Sequence, residues 1–262
     1  MNIELNSNYK KGILRVALFL GELMLENGAE TYRVEDTVLR ICKSRGFNHI
    51  NCFTSPTVII ISDNRFDGFT FMKTIKSRSI DLDKISQLND FSRKFVSDTN
   101  IDMKNAMKEL KLISNSTSYS DITKYISTGI GSAFFAGLVE GNNIPTFIGT
   151  FITSILAVKI YNKIIKVSTI SAFASLIAAI FIAAIGVVLT QLNIINTPTM
   201  LVVGSIMPLL PGVSFIKGLR DLISGDLISG VARAFDAGVT AVSIACGVAL
   251  VLNIWLRLGG IL

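Results

Sequence analysis

Histidine is almost absent from this chain and cysteine is sparse. His49 stands alone, and Cys42, Cys52 and Cys246 lie far apart with no CxxC pair. A zinc site needs about four nitrogen or sulfur ligands, so neither a metal nor another cofactor is expected. An odd, scattered set of thiols reads as reduced cysteines rather than a disulfide framework. Also missing are a phosphate-cradling glycine loop, a nucleophile elbow and any metal-ligand spacing. Nor is there a cleavable signal. Lys10-Lys11 precede an apolar run, but Arg15, Glu22 and Glu26 interrupt it, and Ile13, Val16, Leu20, Leu23 and Met24 recur at the spacing of an amphipathic helix.

Charge is the scarcity that sets the architecture. Of the 25 Lys and Arg, 18 lie in residues 1–124 and 7 beyond; of the 19 Asp and Glu, 15 precede Glu140 and 4 lie from there on. The chain therefore divides into a charged part, 1–115, and an apolar part, 116–262. The net charge of +6 could suggest nucleic acid, but the cations alternate with carboxylates and form no patch with interleaved aromatics, so no nucleic acid is expected. An anionic membrane face makes better use of the excess.

In the first part, the pattern predicts a helix over 10–27 closed by Asn27-Gly28, and a second from Ala29 to Arg45 stopped by Gly46. Residues 48–62 are rich in β-branched side chains, with Pro56 separating two strands or marking an edge. Asp63-Asn64-Arg65 is a turn and Gly68 to Ile75 a partner strand. Helices over Asp83–Asp98 and Asp102–Ile113 complete a small α+β domain of order αα-β-hairpin-αα, and a polar linker, Asn115 to Ser120, follows.

Apolar segments then run over 122–140, 143–165, 170–192, 197–215 and 234–257. Each approaches the ~20 residues a helix needs to cross ~30 Å of hydrocarbon. The reading is an all-α polytopic bundle of about five transmembrane helices in a cell membrane. Lys159, Lys163 and Lys166 flank one connection and Lys217, Arg220 and Arg233 another, whereas 140–143 and 192–197 carry no Lys or Arg. The positive-inside rule then places the N-terminal domain in the cytosol and the C-terminus outside. Small residues recur every fourth position at Gly129/Ala133/Gly137, Ser175/Ala179/Ala183 and Ala237/Ala241/Ala245/Ala249. They serve packing within the bundle or docking of another subunit.

Chemistry-bearing residues are few. Pro208 and Pro211 remove two amide donors and Gly212 lets the chain turn, which interrupts the fourth span. Such a break lines a solute path or is a simple kink. Thr146, Thr150, Thr153 and Ser154 place hydroxyls on one side of the second span, toward a polar solute or a neighbouring helix. No span has a central carboxylate, so a proton-coupling group would sit at a boundary, among Glu140, Asp221, Asp226 and Asp236, or on another chain. Asp236 follows Arg233 by one turn, at ion-pair spacing. Glu22, Glu26, Glu30, Glu35 and Asp36 crowd the first helix pair with Arg33. They form a solvated ion-pair network, or a carboxylate site of a membrane-tethered enzyme.

The run Leu25-Glu26-Asn27-Gly28-Ala29-Glu30-Thr31-Tyr32-Arg33-Val34-Glu35-Asp36-Thr37 resembles the signature of the threonine/serine exporter (ThrE) family, in its YjjP-type large subunit. Ser55-Pro56-Thr57, Arg78, Ile80-Asp81-Leu82 and Ala106 to Leu110 continue the resemblance. So do Pro208 to Val213, Leu219-Arg220-Asp221-Leu222, Ser224-Gly225-Asp226-Leu227 and Ser229-Gly230. The resemblance implies a secondary transporter, not an enzyme, exporting small hydrophilic metabolites such as threonine and serine, or dicarboxylates such as succinate, on the proton motive force. It also implies a separate YjjB-like small membrane subunit, since fused members carry a second membrane region, and leaves room for a higher oligomer or for a non-transporting regulatory or scaffold role.

Overall fold

The structure, a computed structural model, describes residues 2–65, 68–76, 79–116, 119–140 and 143–259. Arg78 and the Gly141-Asn142 connection lie outside the described residues. The chain forms two compact units, Met1–Ser118 with Ile216–Arg233, and Tyr119–Phe215 with Ala234–Leu262.

The first unit is built around helix α1, Asn2–Glu26, which reaches back further than its apolar spacing required. Ile13, Leu14, Val16, Ala17, Leu20 and Met24 are buried along it. At ~25 cal/mol per Å2 of apolar surface removed from water, such a face supplies most of what holds a helix in place. Helix α2, Thr31–Ser44, buries Val34, Val38, Ile41 and Cys42. Burial pushes the Cys42 thiol up to about 12, so it stays protonated and inert.

Three antiparallel strands follow in the order β1-β2-β3: β1 Ile50–Ser55, β2 Val58–Asp63 and β3 Thr70–Thr74. Pro56-Thr57 closes a two-residue turn, pairing Ser55 with Val58 and Ile50 with Asp63. The expected hairpin is thus part of a three-stranded sheet, because Pro56 sits between strands, where no ladder donor is lost. The period of two turns Ile59, Ile61 and Asp63 inward. Buried Asp63 is neutralised by Lys10 from α1 and by Arg65 at 2.9 Å.

Helix α3, Leu82–Ser97, is capped by Asp81, whose side chain accepts from the Lys84 N–H at 3.0 Å. It buries Ile85, Leu88, Phe91 and Phe95, and α4, Met103–Asn115, adds Ala106 and Leu110 to the same core.

The second unit contains α5 Asp121–Glu140, α6 Ile144–Ser168, α7 Ser171–Gln191, α8 Thr199–Ile206 and a 3-10 turn at Met207–Leu209. Helices α9, Gly212–Ile223, and α10, Leu227–Arg257, belong to it through residues 212–215 and 234–257. Small side chains fill its interior, among them Ala133, Ala174, Ala178, Ala179 and Ala183. Large ones such as Phe134, Leu138, Ile148, Phe235 and Val242 face outward. That inversion suits a hydrocarbon solvent, where tight backbone packing drives helix association.

The count of spans departs from the expected five. Among the described residues three helices, α6, α7 and α10, are long and apolar enough to cross a bilayer, or four if the bent pair Thr199–Leu209 and Gly212–Ile223 is one span. Helix α5 is 20 residues long, but Lys124, Tyr125 and its Ser, Thr and Gly positions dilute its apolarity. The expected span 234–257 is the distal part of a 31-residue helix that starts at Leu227.

Candidate functional site

The two sequence runs singled out above, Gly28 to Asp36 and Arg220 to Gly230, meet in the first unit. The chain leaves α1 through Gly28, at φ +88, a left-handed conformation that favours glycine. A Cβ on Gly28 would lie 2.9 Å from the Ser79 carbonyl oxygen. That turn presents the carbonyls of Gly28 and Ala29 to cations from the distal segment. Lys217 Nζ donates to Gly28 O, and Arg233 Nη2 donates to Ala29 O at 3.2 Å.

Ion pairs extend the contact. Arg220 Nη1 meets Glu30 Oε1 at 2.5 Å, with Arg33 at 3.6 Å from the other Glu30 oxygen. Asp221 is fully buried and pairs with Arg233 Nε at 3.0 Å. Thr31, also fully buried, turns its hydroxyl toward Asp221 Oδ1 at 3.2 Å and Asp226 Oδ2 at 3.1 Å. A hydroxyl carries one proton, so it serves one of these carboxylates at a time. Lys217, Arg220 and Arg233 thus meet Glu30, Asp221 and Asp226, with Arg33 a fourth cation at the edge of the cluster.

The network continues into the sheet. Thr54 Oγ1 donates toward the Thr31 carbonyl at 3.3 Å, and Glu35 Oε1 accepts from the Thr54 N–H at 2.8 Å. Burial raises the Glu35 carboxyl above its ordinary value, against the lowering effect of the Thr54 hydrogen bonds. Glu26 is raised too, by burial and by neighbouring Glu22.

Other expected site residues lie apart. Asp36 is exposed and pairs with Arg40 at 2.9 Å, a surface contact. Glu22 pairs with Lys73 at 3.2 Å and neighbours Glu26, while Glu30 is held by Arg220. Among the described residues no group of three or more His, Cys, Asp and Glu side chains is placed to hold a metal ion.

The second unit gathers hydroxyls. Thr146 and Thr150 are buried on α6, and the Thr150 hydroxyl bonds back to the Thr146 carbonyl at 2.8 Å. Ser132 on α5 and Ser205 on α8 are buried with them, and among the described residues the hydroxyls of Ser132, Thr146 and Ser205 have no hydrogen-bond partner. Gly204 brings these helices together: a Cβ there would lie 2.7 Å from Ala136 Cβ, 2.8 Å from Thr150 Cγ2 and 3.0 Å from Ser132 O. Pro208 lies within the 3-10 turn and Pro211 just before α9, with extended backbone at Leu210 between them. Asp236 is exposed on α10, its carbonyl accepting from the Thr240 hydroxyl at 3.0 Å.

Sequence reasoning read Lys217 only as a topology signal, set Arg233 at ion-pair spacing from Asp236 where the structure gives it Asp221 at 3.0 Å, and passed over Thr54, Ser132, Gly204 and Ser205. The i, i+3 spacing of Lys217 and Arg220 beside Asp221 was the available signal for a cationic helix face. A lone threonine on a strand carries none.

The comparisons fit this arrangement. A family profile described as "Putative threonine/serine exporter" (ThrE) matches residues 15–255. A protein of Escherichia coli (strain K12) named "Probable succinate transporter subunit YjjP" is 23% identical over 254 residues, covering 96% of this chain and 98% of its own. One of the same name from Klebsiella aerogenes is 21% identical over 256 residues, covering 97% and 98%. No solved structure matches. The match spans both units and both of the runs that meet at Thr31, and the chain belongs to the threonine/serine exporter family, a family of membrane transporters.

Proposed function

We propose that this chain is the large subunit of a secondary-active exporter of small hydrophilic metabolites, threonine and serine or dicarboxylates such as succinate, driven by the proton motive force. It works with a separate YjjB-like small membrane subunit. The observation that carries the reading is the family match over residues 15–255, joined to two end-to-end relatives named as transporter subunits. The first unit lies in the cytosol and the C-terminus outside, as the basic connections at 159–166 and 217–233 favour. Helix α5 is the additional span in this reading, with Gly129, Ser132, Ala133 and Ala136 buried and α6 and α8 packed against it.

Two features support the need for a partner. The α10 residues Ala241, Ala245 and Ala249 are exposed, while Ala237, Thr240, Ile244 and Gly247 face inward. Small residues at every fourth position suit close approach of another membrane helix. In addition, among the described residues there is one interrupted helix, at Pro208–Pro211, where inverted-repeat transporters use two.

Thr146, Thr150, Ser132 and Ser205 line the solute path and exchange hydrogen bonds with the hydroxyl and carboxylate groups of the cargo. The extended backbone between Pro208 and Pro211 supplies carbonyls beside it. Asp221 is the coupling carboxylate in this scheme, being the buried one among Asp221, Asp226 and Asp236. Its protonation weakens the hold on Arg233 and loosens residues 216–233, which join the broken helix to α10.

The test is flux from cells preloaded with threonine, serine or succinate. Expression of this chain with the small subunit accelerates export, and neither alone does so. Internal levels unchanged by the pair for all three solutes would overturn the assignment. Full export by the small subunit alone would reduce this chain to a scaffold.

A further inference from the structure

Between α2 and α3, in the first unit, lies a cavity of about 410 Å3 whose lining shares only Arg33 with the ionic cluster. Its walls carry Arg33, Asp36 and Arg40 from α2, and Asn89, Arg93 and Val96 from α3. Cavities of ~300–1,000 Å3 are the size that holds small molecules. Three guanidinium groups face one carboxylate, leaving the lining two positive charges in excess.

The three arginines are not equally occupied. Arg40 is held by Asp36, with Nε 3.0 Å from Oδ1. Arg33 stands 3.6 Å from Glu30 and Arg93 3.9 Å from Asp90, distances beyond a hydrogen bond. Glu30 accepts from Arg220 at 2.5 Å through Oε1, while Arg33 faces Oε2. Among the described residues, the guanidinium forks of Arg33 and Arg93, on separate helices, therefore keep donors not engaged in hydrogen bonds. Each fork matches a carboxylate in bidentate geometry. Val96 gives the intervening space an apolar patch suited to a short carbon chain.

We propose that this cavity is a binding site for a small dicarboxylate, one carboxylate on Arg33 and the other on Arg93. It is distinct from the solute path of the membrane unit, and neither its residues nor its test depends on what that unit carries. The arginines on separate walls favour two spaced carboxylates over a single compact phosphate. Because Arg33 also neighbours Glu30, occupancy draws its charge away from the Glu30–Arg220 pair and so reports the ligand level to residues 216–233.

Calorimetric titration of the full chain in detergent, at low ionic strength where such pairs are least screened, tests the assignment with succinate, butyrate and inorganic phosphate. Succinate binds, and butyrate binds about tenfold more weakly for want of the second bidentate pair. Arg33→Gln and Arg93→Gln each weaken succinate about tenfold, while Lys104→Gln, an exposed cation on another helix, leaves it unchanged. Both arginines are largely exposed, with side chains 44% and 77% accessible, so the variants fold, which an unchanged melting temperature verifies. Absence of a succinate signal, an affinity unmoved by both arginine variants, or phosphate binding as tightly as succinate would each overturn the proposal.

Discussion

Replacing Asp221 by asparagine removes one charge from a site with no access to water. Asp221 is fully buried, and its partner Arg233 has a side chain only 11% exposed. At their 3.0 Å separation the Coulomb attraction is about 5 kcal/mol with an effective dielectric of about 20. Desolvation has already offset much of that in the native protein. What the variant suffers is a buried guanidinium that has lost its carboxylate, and breaking a buried pair costs ~3–5 kcal/mol. Arg233 keeps the Ala29 carbonyl at 3.2 Å, and asparagine can still accept from Thr31, so the lower end, about 3 kcal/mol, is expected. That corresponds to roughly a hundredfold faster amide exchange over residues 28–31 and 216–233, read by hydrogen–deuterium exchange on the purified chain. The double variant Asp221→Asn/Arg233→Gln removes both charges and recovers to within about 1 kcal/mol of the parent. Exchange in the single variant within about threefold of wild type, or a double variant as loose as the single, would refute the assignment of this pair as the clasp of the segment.

Gly28→Ala combines a left-handed backbone with a Cβ placed 2.9 Å from Ser79 O, and is expected to cost about 1–3 kcal/mol, visible as a lower melting temperature of the detergent-solubilised chain. Glu35 has a folded-state value raised by burial above 4.5, so the native state binds its proton more tightly than the unfolded chain does. Its contribution to stability is therefore fully present below pH 4.5 and is lost as pH rises through the raised value. Glu35→Gln flattens the melting temperature against pH across that window, whereas an unaltered profile would show that Glu35 does not set it. Gly204→Val forces side-chain volume into the contact with Ala136, Thr150 and Ser132 O, and overpacking of this kind costs about 1–3 kcal/mol. It is expected to lower the thermal stability of the membrane unit while leaving exchange at residues 28–31 unchanged.

The elements of the first unit were legible because their periodicities are strong. Ile13, Val16, Leu20 and Met24 announce α1, the β-branched run through Val58 to Ile61 announces β2, which extends to Asp63, expected in the turn, and Gly28 and Gly46 mark helix ends. The apolar segments were legible for the same reason, since hydrocarbon selects composition directly. Their number was not. Helix α5 sits at the margin where a few Ser, Thr and Gly residues and Lys124 cancel its apolar side chains, and no local pattern says whether neighbours cover them.

The family runs at 25–37 and 219–230 were visible as strings, but a string does not say what it touches. Thr31 and Asp221 are 190 positions apart, and the hydrogen bond between them depends on every turn of chain in between. Composition and period thus determined by themselves that this protein has a charged α+β part and a bilayer-seeking part, because both signals are local sums over side chains. Only the tertiary structure decided that residues 216–233 pack with the first unit, that Arg233 answers Asp221, and that Ala241, Ala245 and Ala249 are left uncovered. Those outcomes follow from which surfaces meet, and a partner distant in sequence leaves no periodic trace in either segment.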